Sequence, residues 1–341
     1  MNFATCFDIN YLGRGLALLN SLKKVCSKPF RFFVLALDNH VTEFFNENNQ
    51  DVTVILLKDL ENDFPELLPV KGKRTKVEYY FTLSPYLPIY IFNVFDVPDV
   101  TTLDADLYFF DDPNIIYSAY PNASVLITPH NFSKDLNYLT QYGHYNVSFQ
   151  RFRNDEIGRA CLEGWRKDCS EWCFDFYDEV HDRFADQKYL DKWIASYPKV
   201  EAIEIKGAGT APWNIASLYL NVKGNKFFVG DHPLVYYHFH HVRIFNTHFA
   251  FTGLKEYKIG RITSPVKKLY QRYLLELRRW SFNRTTNDRK IPRFQKSAGL
   301  IDSIKGPAGF LFYTRWSVNY INIFFAKQKA KRIIKRLLWH R

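Results

Sequence analysis

At 341 residues, 47% hydrophobic and 24% charged, the chain is long enough for two average domains or one large α/β domain with additions, which excludes a disordered, collagenous or low-complexity polypeptide. Five cysteines, an odd number, exclude a disulfide framework and point to a reducing compartment. The net charge of +11 is unevenly spread: residues 254–341 carry 22 Lys and Arg against 4 Asp and Glu, and the first 253 carry 24 against 31, the pattern of an enzyme body that docks on something anionic.

Taken in chain order, residues 2–7 read as a buried strand and 13–25 as a helix, with Leu16, Leu18, Leu19 and Leu22 at apolar spacing. Strands at 30–37 and 52–57 flank a helical stretch at 41–46, so the chain opens βαβαβ. That start favours a doubly wound, mostly parallel sheet, which binds ligands beyond the carboxyl ends of its strands. Short strands follow at 100–103, 107–110, 124–128 and 145–152, then helices at 156–177 and 186–195, then strands at 201–205, 217–222 and 226–229. No internal repeat is present. Polar and turn-forming residues mark 283–307 as a loop. The acidic body gives way to the basic segment near residue 252, dividing the chain into 1–252 and 253–341.

The N-terminus lacks a basic segment followed by a long apolar run, so no signal peptide is expected, and no stretch reaches the roughly 18 apolar residues of a membrane span. The sequons at Asn122, Asn131, Asn146 and Asn283 then carry little meaning.

The sharpest chemical signal is Thr102-Leu103-Asp104-Ala105-Asp106-Leu107-Tyr108. An apolar strand that delivers two carboxylates one residue apart suits a hard divalent cation shared with a diphosphate; two solvated aspartates in a turn are the alternative. In His238-Phe239-His240-His241, strand alternation puts His238 and His240 on one face, where two histidines suit a metal or one is a satisfied structural residue. Residues 207–214 lack the Lys-Ser/Thr of a phosphate-binding loop, and the small residues ending in Trp213 suggest a wall against a sugar ring. Cys161, Cys169 and Cys173 contain no C-x-x-C pair and read as buried thiols rather than a zinc site.

These segments, in this order, resemble a GT-A fold nucleotide-sugar glycosyltransferase, and most of all glycosyltransferase family 8, in its bacterial members that build surface polysaccharide. The resemblance rests on Phe7-Asp8-Ile9-Asn10-Tyr11, Leu103-Asp104-Ala105-Asp106, Tyr145-Asn146-Val147-Ser148, Asp186-Gln187 and Tyr237-His238-Phe239-His240-His241, and covers about residues 1–250. It implies an α/β fold, a Rossmann-like mixed sheet flanked by helices; charge and helical spacing add a basic helical C-terminal extension that the resemblance does not cover. It further implies that Asp8, Asn10 and Tyr11 hold the uracil and ribose of a UDP-sugar, and that Asp104 and Asp106 bind the metal, with Asp104 also near the donor ribose. His238 would complete the coordination, which suits Mn²⁺, with Mg²⁺ as the other candidate. Asp186 and Gln187 would stand beside the donor sugar and stabilise an oxocarbenium-like transition state, with Asn146 in the same layer and His240 among the donor-binding residues. Where the family has Gly, this chain has His241, and in place of a lysine-proline-tryptophan run it has Val242-Arg243-Ile244-Phe245; Arg243 is the expected substitute cation for the diphosphate. The family's arginine near Glu78–Pro85 is missing too, the nearest cations being Arg74 and Lys76.

In the tail, Ala326, Ala330, Ile333, Ile334, Leu337 and Leu338 fall on one side of a helical wheel and six Lys and Arg between 327 and 336 on the rest, the pattern of a helix in an anionic membrane interface or of one packed on the body. No nucleic-acid motif accompanies the charge. The resulting expectation is a cytoplasmic, membrane-peripheral, metal-dependent and retaining glycosyltransferase acting on a UDP-sugar and a glycan or lipid-linked acceptor. A sugar-nucleotide pyrophosphorylase and a catalytically silent membrane- or carbohydrate-binding protein are the rivals.

Overall fold

The computed structural model describes residues 1–48, 51–244, 249–282 and 310–312. The tail helix expected at 326–339 and the loop expected at 283–307 lie outside them.

The chain opens as expected, with β1 (Asn2–Phe7), α1 (Leu12–Val25), β2 (Arg31–Ala36), α2 (Asn39–Asn48) and β3 (Thr53–Leu56). Four helices then follow that periodicity did not reveal: α3 (Leu57–Asp63), α4 (Leu67–Lys71), α5 (Lys76–Thr82) and α6 (Tyr86–Phe95). Next come β4 (Asp99–Leu103), β5 (Leu107–Phe109), α7 (Asn114–Ala119), β6 (Val125–Pro129), β7 (Tyr145–Arg153) and α8 (Glu156–Glu171). A single α-turn, α9 (Trp193–Ser196), leads to β8 (Val200–Ala202), β9 (Leu220–Lys223), β10 (Lys226–Val229), β11 (His232–Pro233), β12 (Tyr236–His238), β13 (Arg243–Ile244), β14 (Phe249–Phe251), α10 (Ser264–Phe282) and β15 (Phe310–Phe312).

Seven strands form the central sheet in the order β3-β2-β1-β4-β7-β6-β8. β7 runs antiparallel to both its neighbours, and the remaining pairs are parallel. Both faces are covered, so the inner strands β2 and β6 read as apolar runs rather than alternating. Alternation shows instead in which core each side chain enters: Ala4, Phe33 and Leu35 join Tyr86, Trp165 and the helices α3 to α6 and α8, while Phe3, Phe32 and Val34 join the α1 and α2 side.

Several expected elements change here. The helix expected over 156–177 stops at Glu171, and residues 172–185 form a loop. The helix expected from 186 is a 3₁₀ turn at Lys188–Lys192 followed by α9, so Asp186 and Gln187 precede it. β5 leaves the main sheet and pairs with β12 alone. A third cluster packs Tyr108, Tyr237 and Phe239 against Leu269, Tyr270, Tyr273 and Leu277 of α10, so the core is continuous across residue 252. The buried Glu276 carboxylate ties α10 to α1, accepting from Asn20 Nδ2 and from Lys24 Nζ (2.8 Å).

Gly15 sets the approach of α1 to β1. A Cβ at this position would fall 2.2 Å from Phe7 Cε1, and Phe7 is 2% exposed with no room to retreat. Gly15→Ala is therefore expected to cost about 1–3 kcal/mol in urea unfolding, the usual penalty for overpacking; an unchanged midpoint would show that the ring yields freely.

Candidate active site

Asp8 follows β1 and Asp104 follows β4, adjacent parallel strands, so both carboxylates reach the same edge of the sheet. β7 runs the other way, and its first residues arrive at that edge too: Asp104 N donates to Ser148 O (2.9 Å). From the far end of the chain, β12 pairs with β5 in a register that sets His238 opposite Leu107, and Phe239 N donates to Asp106 O (3.0 Å). Backbone pairing thus joins residues about 130 positions apart. His238 Nε2 lies 3.0 Å from Asp106 Oδ1 and 3.7 Å from Asp104 Oδ2.

One ligand atom from each of Asp104, Asp106 and His238 lies within 4.8 Å of the others, and among the described residues this is the only such group that could hold a metal ion. Two carboxylate oxygens and an imidazole nitrogen form a donor set suited to a first-row divalent cation. The charges confirm how closely the groups interact. Burial works to raise Asp106, but His238 overrides it by charge and hydrogen bond and holds the carboxyl below its usual range. Burial pushes Asp104 up to about 6, against the pull of His238 and with Asp106 adding to the rise; 38% of its side chain remains open, so water softens the effect. His238 is raised, its burial outweighed by Asp106 and Asp104.

Asp8 does not cap α1. Its Oδ1 accepts from Asn10 N (3.0 Å) in a local turn, and its Oδ2 accepts from Asn10 Nδ2 (3.3 Å) and from Lys76 Nζ (2.8 Å). Tyr11 is 44% exposed, with the Arg14 guanidinium 4.3 Å from its ring centre. Asp186, 3% exposed, accepts from Ser84 Oγ (2.6 Å), and its backbone carbonyl accepts from Trp165 Nε1 (2.8 Å). Burial pushes Asp186 up to about 7, Ser84 opposing and Asp104 adding to the rise. Gln187 Nε2 donates to Tyr142 O (3.0 Å). Asn146 is buried, its Oδ1 accepting from Ser148 N and Oγ while its Nδ2 has no partner. The Cys6 thiol is lifted to about 12 by burial first and then by the charges of Asp104, Asp186 and Asp8.

Not every expected residue joins this group. His240 lies beyond β12, its ring edge-on to His238 at 5.4 Å, and its Nδ1 engages Tyr257 Oη, so it stands behind the triad rather than in it. His241 holds φ at 63°, the left-handed region that glycine takes freely, so the backbone bends as a glycine there would allow. Arg243 is exposed on β13, and among the described residues no contact joins it to the triad. Trp213 is 5% exposed and meets His238 edge-on at 5.2 Å, so it backs the histidines and offers no open wall to a sugar ring. Cys161, Cys169 and Cys173 are free, buried thiols.

Two cations stand at the site to which the sequence assigns no role there, Lys76 being named only as a nearby charge. Arg14 donates to Asn10 O (3.2 Å) and to Val242 O (2.7 Å), so it bridges the loop after β1 and the segment after the histidines, and its charge lowers Asp106. Its place one helical turn after Tyr11 was the available signal. Lys76 is the first residue of α5, set by the Thr75–Glu78 capping box, whose T-x-x-E pattern is legible in sequence. Arg74, by contrast, is structural: it donates to Thr82 and to the carbonyls of Cys169 and Ser170.

No protein-family model matches the chain. It is 29% identical over 287 residues, 82% of its length and 89% of the relative's, to the uncharacterized protein YfnD of Bacillus subtilis (strain 168). It is 29% identical over 252 residues, 71% and 82% of the two lengths, to the uncharacterized protein YfnF of the same organism. Among solved structures, the galactosyltransferase LgtC in complex with donor and acceptor sugar analogues aligns with a TM-score of 0.50 at 13% identity, covering 82% of this chain and 96% of that one. That likeness is one of fold: the mixed seven-stranded sheet with flanking helices is of the GT-A type expected from the sequence.

The raised Asp186 fixes a sign for stability against pH. Between the ordinary carboxyl value near 3.8 and about 7, the folded chain holds a proton that the unfolded chain has released, so stability falls as pH rises through this window. Asp186→Asn, which can still accept from Ser84, is expected to be more stable than wild type at pH 8 by ~2–4 kcal/mol in EDTA, with the gain vanishing below pH ~4. Urea unfolding at the two pH values checks this, and a pH-independent difference would mean that the carboxyl ionises without penalty.

Proposed function

We propose that the chain is a glycosyltransferase that uses a divalent cation, manganese or magnesium, to move a sugar from a UDP-sugar to a glycan or lipid-linked acceptor in surface polysaccharide or lipopolysaccharide synthesis, with retention of anomeric configuration. The observation that carries the reading is the convergence of Asp104, Asp106 and His238 at the sheet edge that also presents Asp8, in a GT-A type fold. A cation bound by these three residues would neutralise charge developing on a leaving diphosphate.

The chain's own residues supply the rest. Asp8 and Asn10, locked in one turn and paired with Lys76, form a rigid acceptor pair for the base and ribose. Arg14, beside Asp106, takes the role of diphosphate cation expected of Arg243, because it is the guanidinium held against this site. Asp186, with Ser84 fixing its rotamer and Asp104 close by, offers a carboxyl whose negative charge is most favoured when positive charge develops on the donor sugar. Gln187, anchored on the Tyr142 carbonyl, presents its amide oxygen to hydroxyl groups.

Calorimetry with UDP tests this reading. UDP is expected to bind at least tenfold more tightly with Mn²⁺ than with EDTA, and Asp106→Asn to remove that increment and to lower turnover roughly a hundredfold or more, with the melting transition retained. Equal UDP affinity with Mn²⁺ and with EDTA would take the metal out of the mechanism.

We place the enzyme at the cytoplasmic face of an anionic membrane on the charge of residues 254–341; among the described residues, no helix is long and apolar enough to cross one. Deleting residues 326–341 is expected to abolish most cosedimentation with phosphatidylglycerol vesicles at low salt, since each cation near such a surface contributes on the order of 1 kcal/mol. Undiminished binding by the shortened chain would refute the placement.

A further inference from the structure

We infer that the loop 172–185, with Tyr142, is the platform on which a neutral saccharide acceptor stacks; the inference rests on the glycosyltransferase reading of the adjoining site. The loop replaces the end of a helix that the sequence led one to expect, and it is built rather than slack. Asp178 and Arg183 bridge each other through both backbone amides (3.0 and 3.3 Å). The Asp178 carboxylate accepts from Val180 N (3.1 Å) and from Arg183 Nε (2.8 Å), and the Arg183 guanidinium lies 4.6 Å from the Trp172 ring centre. Tyr177 Oη donates to Asp182 Oδ1 (2.8 Å), and Ala185 N to Phe174 O (3.1 Å).

On this frame the loop exposes what a fold ordinarily hides. Phe176 is 56% exposed, standing edge-on to Trp172 at 5.4 Å, and Val180 is 85% exposed. A second group of rings leads toward the proposed reaction centre: Tyr177, next in the chain after Phe176, meets Tyr142 (6.1 Å), which also packs on Phe184 (4.9 Å), and the Tyr142 carbonyl holds Gln187, next to Asp186. An acceptor must approach that pair from outside the donor pocket, and here it meets aromatic rings rimmed by carboxylates, a hydroxyl and His181.

The chemistry of the surface selects its occupant. Sugar rings have apolar C–H faces that lie on aromatic rings and hydroxyl edges that bond to carboxylates, and a surface already ordered binds them at small entropic cost. Charge argues against a lipid headgroup or a phosphate: residues 172–185 carry four Asp and Glu against one Arg. The exposed carboxylates of Asp175, Glu179 and Asp182 repel anions, while a neutral glycan suffers no such penalty.

Saturation-transfer NMR with lactose and cellobiose as probes, alongside calorimetry with UDP and Mn²⁺, tests the platform. Wild type is expected to saturate the ring C–H protons of at least one disaccharide. Phe176→Ala should reduce the signal at least fivefold, whereas Phe176→Tyr and Tyr219→Ala, the latter an exposed aromatic outside the loop, should retain it. Equal signals in wild type and Phe176→Ala, or none in wild type, overturn the inference. UDP binding without sugar saturation sinks the platform and spares the glycosyltransferase reading; sugar saturation without UDP binding keeps the platform and sinks that reading. Self-association of wild type that Phe176→Ala abolishes, with no sugar signal, gives the surface to a second copy of the chain and overturns the proposal as well.

Discussion

The pairing of β5 with β12 is the constraint on which the site depends. Three residue pairs of antiparallel ladder set His238 opposite Leu107, one residue after Asp106, and the adjoining hydrogen bond from Phe239 N to Asp106 O fixes the backbone of the acidic turn itself. Side-chain rotamers then need only small adjustment for one imidazole and two carboxylates to converge. A slip of one residue would turn His238 to the opposite face and bring Tyr237, which belongs to the apolar cluster beneath, toward the aspartates. Burial on both sides of the ladder makes such a slip costly, so the convergence of Asp104, Asp106 and His238 is secured by hydrophobic packing some distance from the charges.

A second constraint is electrostatic. Asp8, Asp104, Asp106 and Asp186 crowd one edge of the sheet, and the fold answers each differently: Lys76 pairs with Asp8, His238 with Asp106 and more distantly with Asp104, and Ser84 alone, a neutral donor, with Asp186. Arg14 adds positive charge from the first turn of α1. The carboxyl with only a neutral partner is the one whose ionisation is most hindered, as burial without compensation requires.

Much of this was legible in the sequence because it depends on local pattern. Apolar runs with turn residues between them gave the opening βαβαβ nearly to its boundaries, and the paired aspartates after an apolar strand lie in the group of three that could hold a metal ion. What escaped depends on tertiary context. The helices α3 to α7 are each at most ten residues long, and α6 is apolar on most sides, so no clean 3.6-residue stripe distinguishes it. The helical pattern of 156–177 continues past Glu171 in composition, but Asp178 and Arg183 close a loop on each other and Phe176 stays exposed. The histidine triplet was read as an alternating strand, yet the strand ends at His238, and the positive φ of His241 turns the chain away. Lys76 could be tied to Asp8 only in three dimensions, across 68 positions of sequence.

The docking of α10 has a consequence for how such a protein can be divided or recombined. Its Tyr270 hydroxyl meets that of Tyr237, and its Tyr273 ring stacks on Phe239 at 3.9 Å, the two residues that flank His238. The wall behind His238 is therefore supplied by a helix from the basic quarter of the chain. A gene fusion or trimming event that exchanged everything after residue 252 would remove that wall together with the rest of the basic segment, so the two are inherited as one unit. Exchange of the C-terminal segment as a free module is closed to this architecture, and its divergence must proceed by substitutions outside the face of α10 that carries Leu269, Tyr270, Tyr273 and Leu277.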